Sequence, residues 1–251
     1  MKLLSRFSCT GLICLLLPFS VLAEQGGIPL FTATPNIAGG QDYSVKVEIL
    51  ILMTLLGLLP VMLLMMTCFT RFIIVLALLR QAIGLQQSPP NKVLTGIALV
   101  LTMLVMRPVW NDIYNNAVKP WQDNKITLQQ ALRNGEAPLK VFMLSQTNST
   151  SLSQIMTIAK VTGDPKGQDL TIVTPAFVLS ELKTAFKIGF MIYIPFLVID
   201  LIVASILMAM GMMMLSPLIV SLPFKLILFV LCDGWSMLVG TLTQSVQGVG
   251  G

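Results

Sequence analysis

Long apolar runs alternate with short polar ones along this chain. Residues 49–70 carry no charge, and these 22 positions exceed the roughly 20 needed to cross a bilayer as a helix. The run continues past Arg71 as far as Arg80. A loop written QAIGLQQSPPNK follows, and its Pro89-Pro90 pair ends any helix. Residues 93–106 form a second, shorter apolar run. The loop region holds Arg71, Arg80 and Lys92 and no acid, which keeps it on the cytoplasmic side. The first run then points inward and the second outward.

Residues 109–174 are polar and carry local helix signals. Thr127-x-x-Gln130 is a capping box with Gly135 as a helix stop, and Ser151-x-x-Gln154 is a second possible box. Thr174-Pro175 reads as the start of a new helix, with threonine as cap and proline in its first position. That helix passes Glu181, Lys183 and Lys187 and enters another apolar run, interrupted by Pro195 and Asp200. Residues 201–224 are again uncharged but broken by Gly211, Ser216-Pro217 and Pro223.

The pattern predicts an all-α, membrane-associated fold of long, kinked helical hairpins. Its parts are a targeting signal at 1–23, an exposed segment at 24–45 and a first apolar hairpin at 46–108. An extracytoplasmic helical region at 109–174 follows, then a second, broken hairpin with a C-terminal helix at 175–251. Composition agrees: 55% of the 251 residues are hydrophobic and 11% charged, against roughly 25% charged in soluble domains. Mean hydropathy is +0.84. Lys2 and Arg6 precede a short apolar run, and Val21-Leu22-Ala23 resembles a cleavage site before Glu24. Cleavage would lower the net charge from +5 to +3, which gives no reason to expect nucleic acid.

The absent chemistry narrows the function. The chain has no histidine, so imidazole catalysis and His-based zinc sites are excluded. No phosphate-binding glycine loop or nucleophile elbow is present. Cys68 and Cys232 sit in apolar runs and suggest no disulfide framework. We expect no enzyme, no cofactor and no metal.

The second hairpin is the informative part. Proline at 217 biases Ser216 away from helix, and Gly211 weakens a helix by about 1 kcal/mol relative to alanine. A turn at about 211–217 follows. Open backbone is not tolerated in lipid, so the turn faces protein or water. Asp200 in an apolar helix needs a partner, and a hairpin turning near 212–213 places it opposite Lys225. Five of the seven residues from 208 to 214 are methionine. Methionine adapts to irregular gaps, and Met210, Met212, Met213 and Met214 at a hairpin tip would make a deformable seal. Arg71, Arg80 and Asp233 are further charges set in apolar surroundings and expected to be buried. Asp233, Ser236, Gly240, Gln244 and Gln247 form a polar stripe at helical spacing, opposite Leu238 and Val239.

Four blocks carry a family resemblance. They are MTCFTRFIIVLALLRQAIGLQQSPPNKVLTGIALVLT, TPAFVLSELKTAFKIGF, IPFLVIDLIVASILMAMGMMML and LPFKLILFVLCDGW. Together they resemble the FliP family, the flagellar members of the export-gate subunits shared with type III secretion systems. The resemblance runs from about residue 45 to 245. It implies a ring of about five copies, assembled with FliQ-like and FliR-like membrane subunits and other export components (FlhA-like, FlhB-like). Such a complex sits in the bacterial inner membrane at the centre of the basal body, and unfolded flagellar proteins pass through it. It also implies a gate role for Met212, Met213 and Met214, and charged contacts between neighbouring subunits at Glu181 and Lys225. That last implication competes with the Asp200–Lys225 pairing. Many relatives have basic residues in the stretch written FMLSQTN here, where this chain has Ser145 and Asn148. Two other classes stay open: a small secondary transporter with the broken helix as its substrate site, and an assembly factor absent from the finished basal body.

Overall fold

A computed structural model describes residues 32–35, 41–44, 47–85, 88–164, 167–212 and 215–246. The signal at 1–23, much of the segment at 24–45, Met213, Met214 and Gln247 lie outside the described residues. The chain divides into two compact units, residues 1–58 and 59–251.

The first unit corrects one expectation. The segment at 24–45, expected only to be an exposed segment, contains strands β1 (Thr32–Pro35) and β2 (Gln41–Ser44). They pair antiparallel, with Thr32 opposite Ser44 and Pro35 opposite Gln41. Four residues per strand are too few for alternation to show in sequence, and Pro35 is tolerated at a strand end. The rest of the described chain is helical, as expected of an all-α fold. Helix α1 (Val47–Met65) begins in this unit and carries no charge after Glu48.

The uncharged run at 49–70 is not one straight helix. α1 ends at Met65, and α2 (Phe69–Ile83) starts after a break that turns the chain by 73°. Thr67 lies at the break: its Oγ1 donates to the Leu64 carbonyl at 2.7 Å and accepts from the Phe69 N–H at 3.3 Å. One short side chain thus serves the end of one helix and the start of the next. α2 ends at Gly84, whose φ of +90° suits glycine, with the Gly84 and Leu85 N–H groups returning to Gln81 and Arg80.

α3 (Asn91–Val105) leads into α4 (Arg107–Ile113), a π-helical turn at Tyr114–Val118, and α5 (Lys119–Gln122). α6 (Leu128–Gln146) starts with Thr127 and Gln130 forming the reciprocal capping box. It does not stop at Gly135, because Gly135 lies where α6 packs against Ile113 and Ala117. α7 (Ser149–Ile158) is capped by Asn148, whose Oδ1 accepts from the Thr150 N–H. Ser151 is not the cap; it is buried and accepts a hydrogen bond from Lys183.

α8 (Leu170–Ala209) has 40 residues, about 60 Å at 1.5 Å per residue. It begins at Leu170 rather than at Thr174-Pro175. Val173, Ala176 and Phe177 are fully buried, and this packing outweighs the hydrogen bond lost at Pro175. α9 (Pro217–Leu231) and α10 (Gly234–Gln244) complete the chain.

The core sits where α2 lies along α8. Phe72, Val75, Leu76, Leu79, Ala82 and Ile83 recur at helical spacing on the buried face of α2. Phe177 meets Phe142 of α6 edge-on at 5.9 Å. The closest approach is at Gly189, where an added Cβ would overlap the Leu78 side chain. Gly189→Ala is therefore expected to destabilise by about 1–3 kcal/mol, the usual range for overpacking. Leu78→Ala in the same chain should relieve part of that loss, which thermal unfolding of the four variants in detergent would resolve.

Candidate functional site

Two ion pairs are built into the helical body. Arg71 and Glu181 are 2% and 0% exposed. Arg71 faces into the core because it shares the buried stripe of α2, one position before Phe72. Its Nε donates to Glu181 Oε2 at 2.9 Å, and Nη2 donates to Glu181 Oε1, a two-pronged arrangement that guanidinium geometry favours. Nη1 donates to the Ser245 carbonyl at 2.5 Å and to Ser245 Oγ at 3.1 Å. Nη2 also reaches Gln146 Oε1 at 3.4 Å. One side chain of α2 thereby ties together α8, the end of α6 and the end of α10. Beside it, Ser180 Oγ accepts from the Asn148 N–H and donates to the Gln146 carbonyl, fastening the α6–α7 junction to α8.

The second pair lies nearer the hairpin tip. Lys225 Nζ donates to Asp200 Oδ2 at 2.6 Å and to the Ala82 carbonyl at 3.0 Å. Ser221 Oγ donates to Asp200 Oδ1 at 2.5 Å. Lys225 is almost completely enclosed, whereas Asp200 is 28% exposed. These contacts pin α8 to α9 and both to the end of α2.

The resemblance placed Glu181 and Lys225 at contacts between subunits. Here each is enclosed within its own chain, Glu181 by Arg71 and Lys225 by Asp200. The reason is their position on buried stripes: Glu181 follows Ser180 and Phe177, and Lys225 lies between Ser221 and Phe229. The expectation that Arg80 and Asp233 are buried changes. Arg80 is only half-buried, its Nη1 donating to Asn91 Oδ1 at 2.6 Å and the Pro89 carbonyl at 3.2 Å across the loop. Asp233 is exposed, because it occupies the 66° bend between α9 and α10 with φ of +47°. The stripe residues Ser236 and Gln244 are exposed with it, while Leu238 and Leu242 on the opposite side are buried.

At the tip, α8 ends in a Schellman turn. Gly211 has φ of +73°, and the Gly211 and Met212 N–H groups return to the Met208 and Leu207 carbonyls. Gly211 is thus required by left-handed backbone and not only tolerated as a weak point. Met210 and Met212 are exposed, 58% and 37%. Pro217 stands at the first position of α9 after Ser216.

Ser221 and Ser245 were missed by sequence reasoning. Ser221 lies four residues before Lys225, on the same helical face, and that spacing was a usable signal. Nothing local marked Ser245, whose contribution is largely a backbone carbonyl. No cluster of three metal-ligating side chains occurs among the described residues.

Comparison with known sequences fixes the family. The FliP family model matches residues 52–242. The chain belongs to the FliP family. The flagellar biosynthetic protein FliP of Pectobacterium carotovorum is 50% identical over 228 residues, covering 90% of this chain and 87% of that protein. The FliP protein of Bacillus subtilis is 49% identical over 207 residues, covering 82% and 94%. That of Cereibacter sphaeroides is 48% identical over 224 residues, covering 88% and 74%. The FliP match takes in Arg71, Glu181, Asp200, Lys225 and the hairpin tip, so both ion pairs lie inside the family region.

Proposed function

We propose that this chain is a core subunit of the flagellar type III export gate in the bacterial inner membrane. Several copies, about five by the family resemblance, assemble with FliQ-like and FliR-like subunits around a path for unfolded flagellar proteins. FlhA-like and FlhB-like components complete the apparatus. The methionines of the hairpin tip, Met210 and Met212–Met214, form the deformable seal of that path. The chain itself does no chemistry.

The exposed methionine tip, held on an internally braced hairpin, carries this reading. Met210 and Met212 are presented outward, while the Asp200–Lys225–Ser221 contacts fix the helices behind them. The exterior supports assembly. Only 11% of the most apolar window of α8 is buried, and α1 exposes leucines such as Leu52, Leu55 and Leu59. Apolar faces of that extent require lipid or sister subunits. Among the described residues, α8 is the one helix that reaches a bilayer span by length and apolarity, with up to four spans if each bent pair counts as one.

Replacing Met210 and Met212–Met214 by alanine tests the seal. Ion leak, assembly of the complex and flagellar export are measured together in the native cell. Leak through an intact complex is the expected result. Loss of the complex, or an intact complex that neither leaks nor loses export, would refute the seal.

A further inference from the structure

α8 has two unlike apolar sides. Phe186, Phe190, Ile194, Leu197 and Leu201 recur at spacings of four, four, three and four, and all are at least 42% exposed. They form a ridge. Ile192, Pro195 and Phe196 instead wall an apolar groove of about 460 Å³, closed on its other sides by Phe229 of α9 and by Met237 and Thr241 of α10. The Thr241 hydroxyl is already used, since it donates to the Met237 carbonyl. At about 100° per residue, ridge and groove lie on roughly opposite sides of α8. One copy therefore cannot fill its own groove with its own ridge.

The charges around them are uneven. Six charged residues lie from 170 to 246. Glu181 is bound to Arg71, Asp200 is bound to Lys225, and Lys183 donates to Ser151. Lys187 and Asp233 are left over, one cation and one anion. Both are exposed and neither has a partner among the described residues. Lys187 stands at the edge of the ridge, between Phe186 and Phe190 in the chain. Asp233 stands at the rim of the groove, between the lining residues Cys232 and Gly234. Aspartate before a helix normally accepts from the first-turn N–H groups. Here, with φ of +47°, the Asp233 carboxylate makes no such bond to α10. A lone charge is harmless in water, but covering the apolar surface around it removes that water and leaves the charge in need of a partner. The ridge supplies one sign and the groove supplies the other.

We propose that the α8 ridge of one copy seats in the groove of a neighbouring copy, with Lys187 on the ridge paired to Asp233 at the rim. Each copy then gives a ridge to one neighbour and receives one from the other. Such a head-to-tail contact builds a closed ring or an open helix, never an isolated two-fold dimer. This rests on the assembly of several copies proposed above, but not on the methionine seal.

The test uses the full chain in a flagellated bacterium lacking its own FliP-family protein. Two differently tagged forms are produced together, both with Cys232→Ser, one carrying Phe190→Cys on the ridge and the other Met237→Cys in the groove. Cys68 is buried. Mild oxidation is expected to give a disulfide dimer that holds both tags, and no dimer when either form is produced alone. Neutral variants read the ion pair. Lys187→Gln and Asp233→Asn should each lower the yield of assembled particle about tenfold, within the range that close interfacial charge pairs carry. Asparagine keeps the left-handed backbone at 233. The double variant should lose no more than either single one. The amount of chain in the membrane should not change, since neither side chain bonds within its own chain. The native mass of the unaltered particle separates the two readings. If it holds several copies but no mixed-tag dimer forms, the ridge-and-groove contact falls and the multi-copy reading stands. Independent losses in the two neutral variants would overturn the ion pair. A dimer formed within one tagged form would mean a like-to-like contact and would overturn the proposal. An unaltered chain found only as a monomer would refute the multi-copy reading and the inference with it.

Discussion

Replacing Glu181 by leucine is expected to cost about 3–5 kcal/mol, the range for removing one partner of a buried ion pair. Arg71 would remain 2% exposed with no carboxylate beside it. A guanidinium cannot shed its proton to escape, so the charge stays buried. Arg71→Met should cost less, because Glu181 can take up a proton and become neutral. It would still lose the bonds to Ser245 and Gln146, so α10 should loosen from the body. The double variant Arg71→Met, Glu181→Leu should be markedly more stable than the sum of its parts predicts, because an apolar pair leaves no orphaned charge. Thermal unfolding of the purified variants, set out as a double-mutant cycle, measures this. Additive losses would mean that the two side chains act independently.

The second large effect is expected at the hairpin. Asp200→Leu leaves the enclosed ammonium of Lys225 with only the Ala82 carbonyl and should cost about 3 kcal/mol, toward the lower end for a broken buried pair. Lys225→Met should cost less, since Asp200 is 28% exposed and keeps the Ser221 hydroxyl. Exchange of the two charges should restore only part of the stability. A carboxylate at 225 would face the Ala82 carbonyl, where a donor now sits. Glu181 charge reversal should not rescue Lys225 variants, because Glu181 is bound to Arg71. Protein level in the membrane and flagellar export, compared across these variants, decide the matter. Full rescue of a Lys225 charge reversal by a Glu181 reversal would favour the contact between subunits after all.

These two sites differ in how far the sequence disclosed them. Asp200 and Lys225 flank a turn marked by Gly211 and Ser216-Pro217, so hairpin arithmetic brings them together with no knowledge of the rest. Arg71 and Glu181 lie 110 residues apart on different helices. Each is visible as a lone charge in an apolar stretch, but only the packing of α2 along α8 joins them. The same limit explains the helix boundaries. Gly135 reads locally as a helix stop and Thr174-Pro175 as a helix start, yet both sit inside helices whose buried faces supply more than the local cost. Thr67 shows the reverse case. It sits where the 22-residue apolar run bends by 73° and bonds to both helix ends there, yet composition alone does not set it apart from Thr54 and Thr70. The methionine tip was legible as an oddity, and its Schellman turn explains Gly211.

We propose that copies of this chain and sister membrane subunits cover its exposed apolar helix faces. The most direct measurement is the native mass of the particle that contains it. The chain would be expressed in a flagellated bacterium lacking its own FliP-family protein and extracted in mild detergent. Restored flagellar export and a particle holding several copies of the chain together with other membrane subunits are expected. A chain that restores export yet is recovered only as a monomer, free of other subunits, would contradict it.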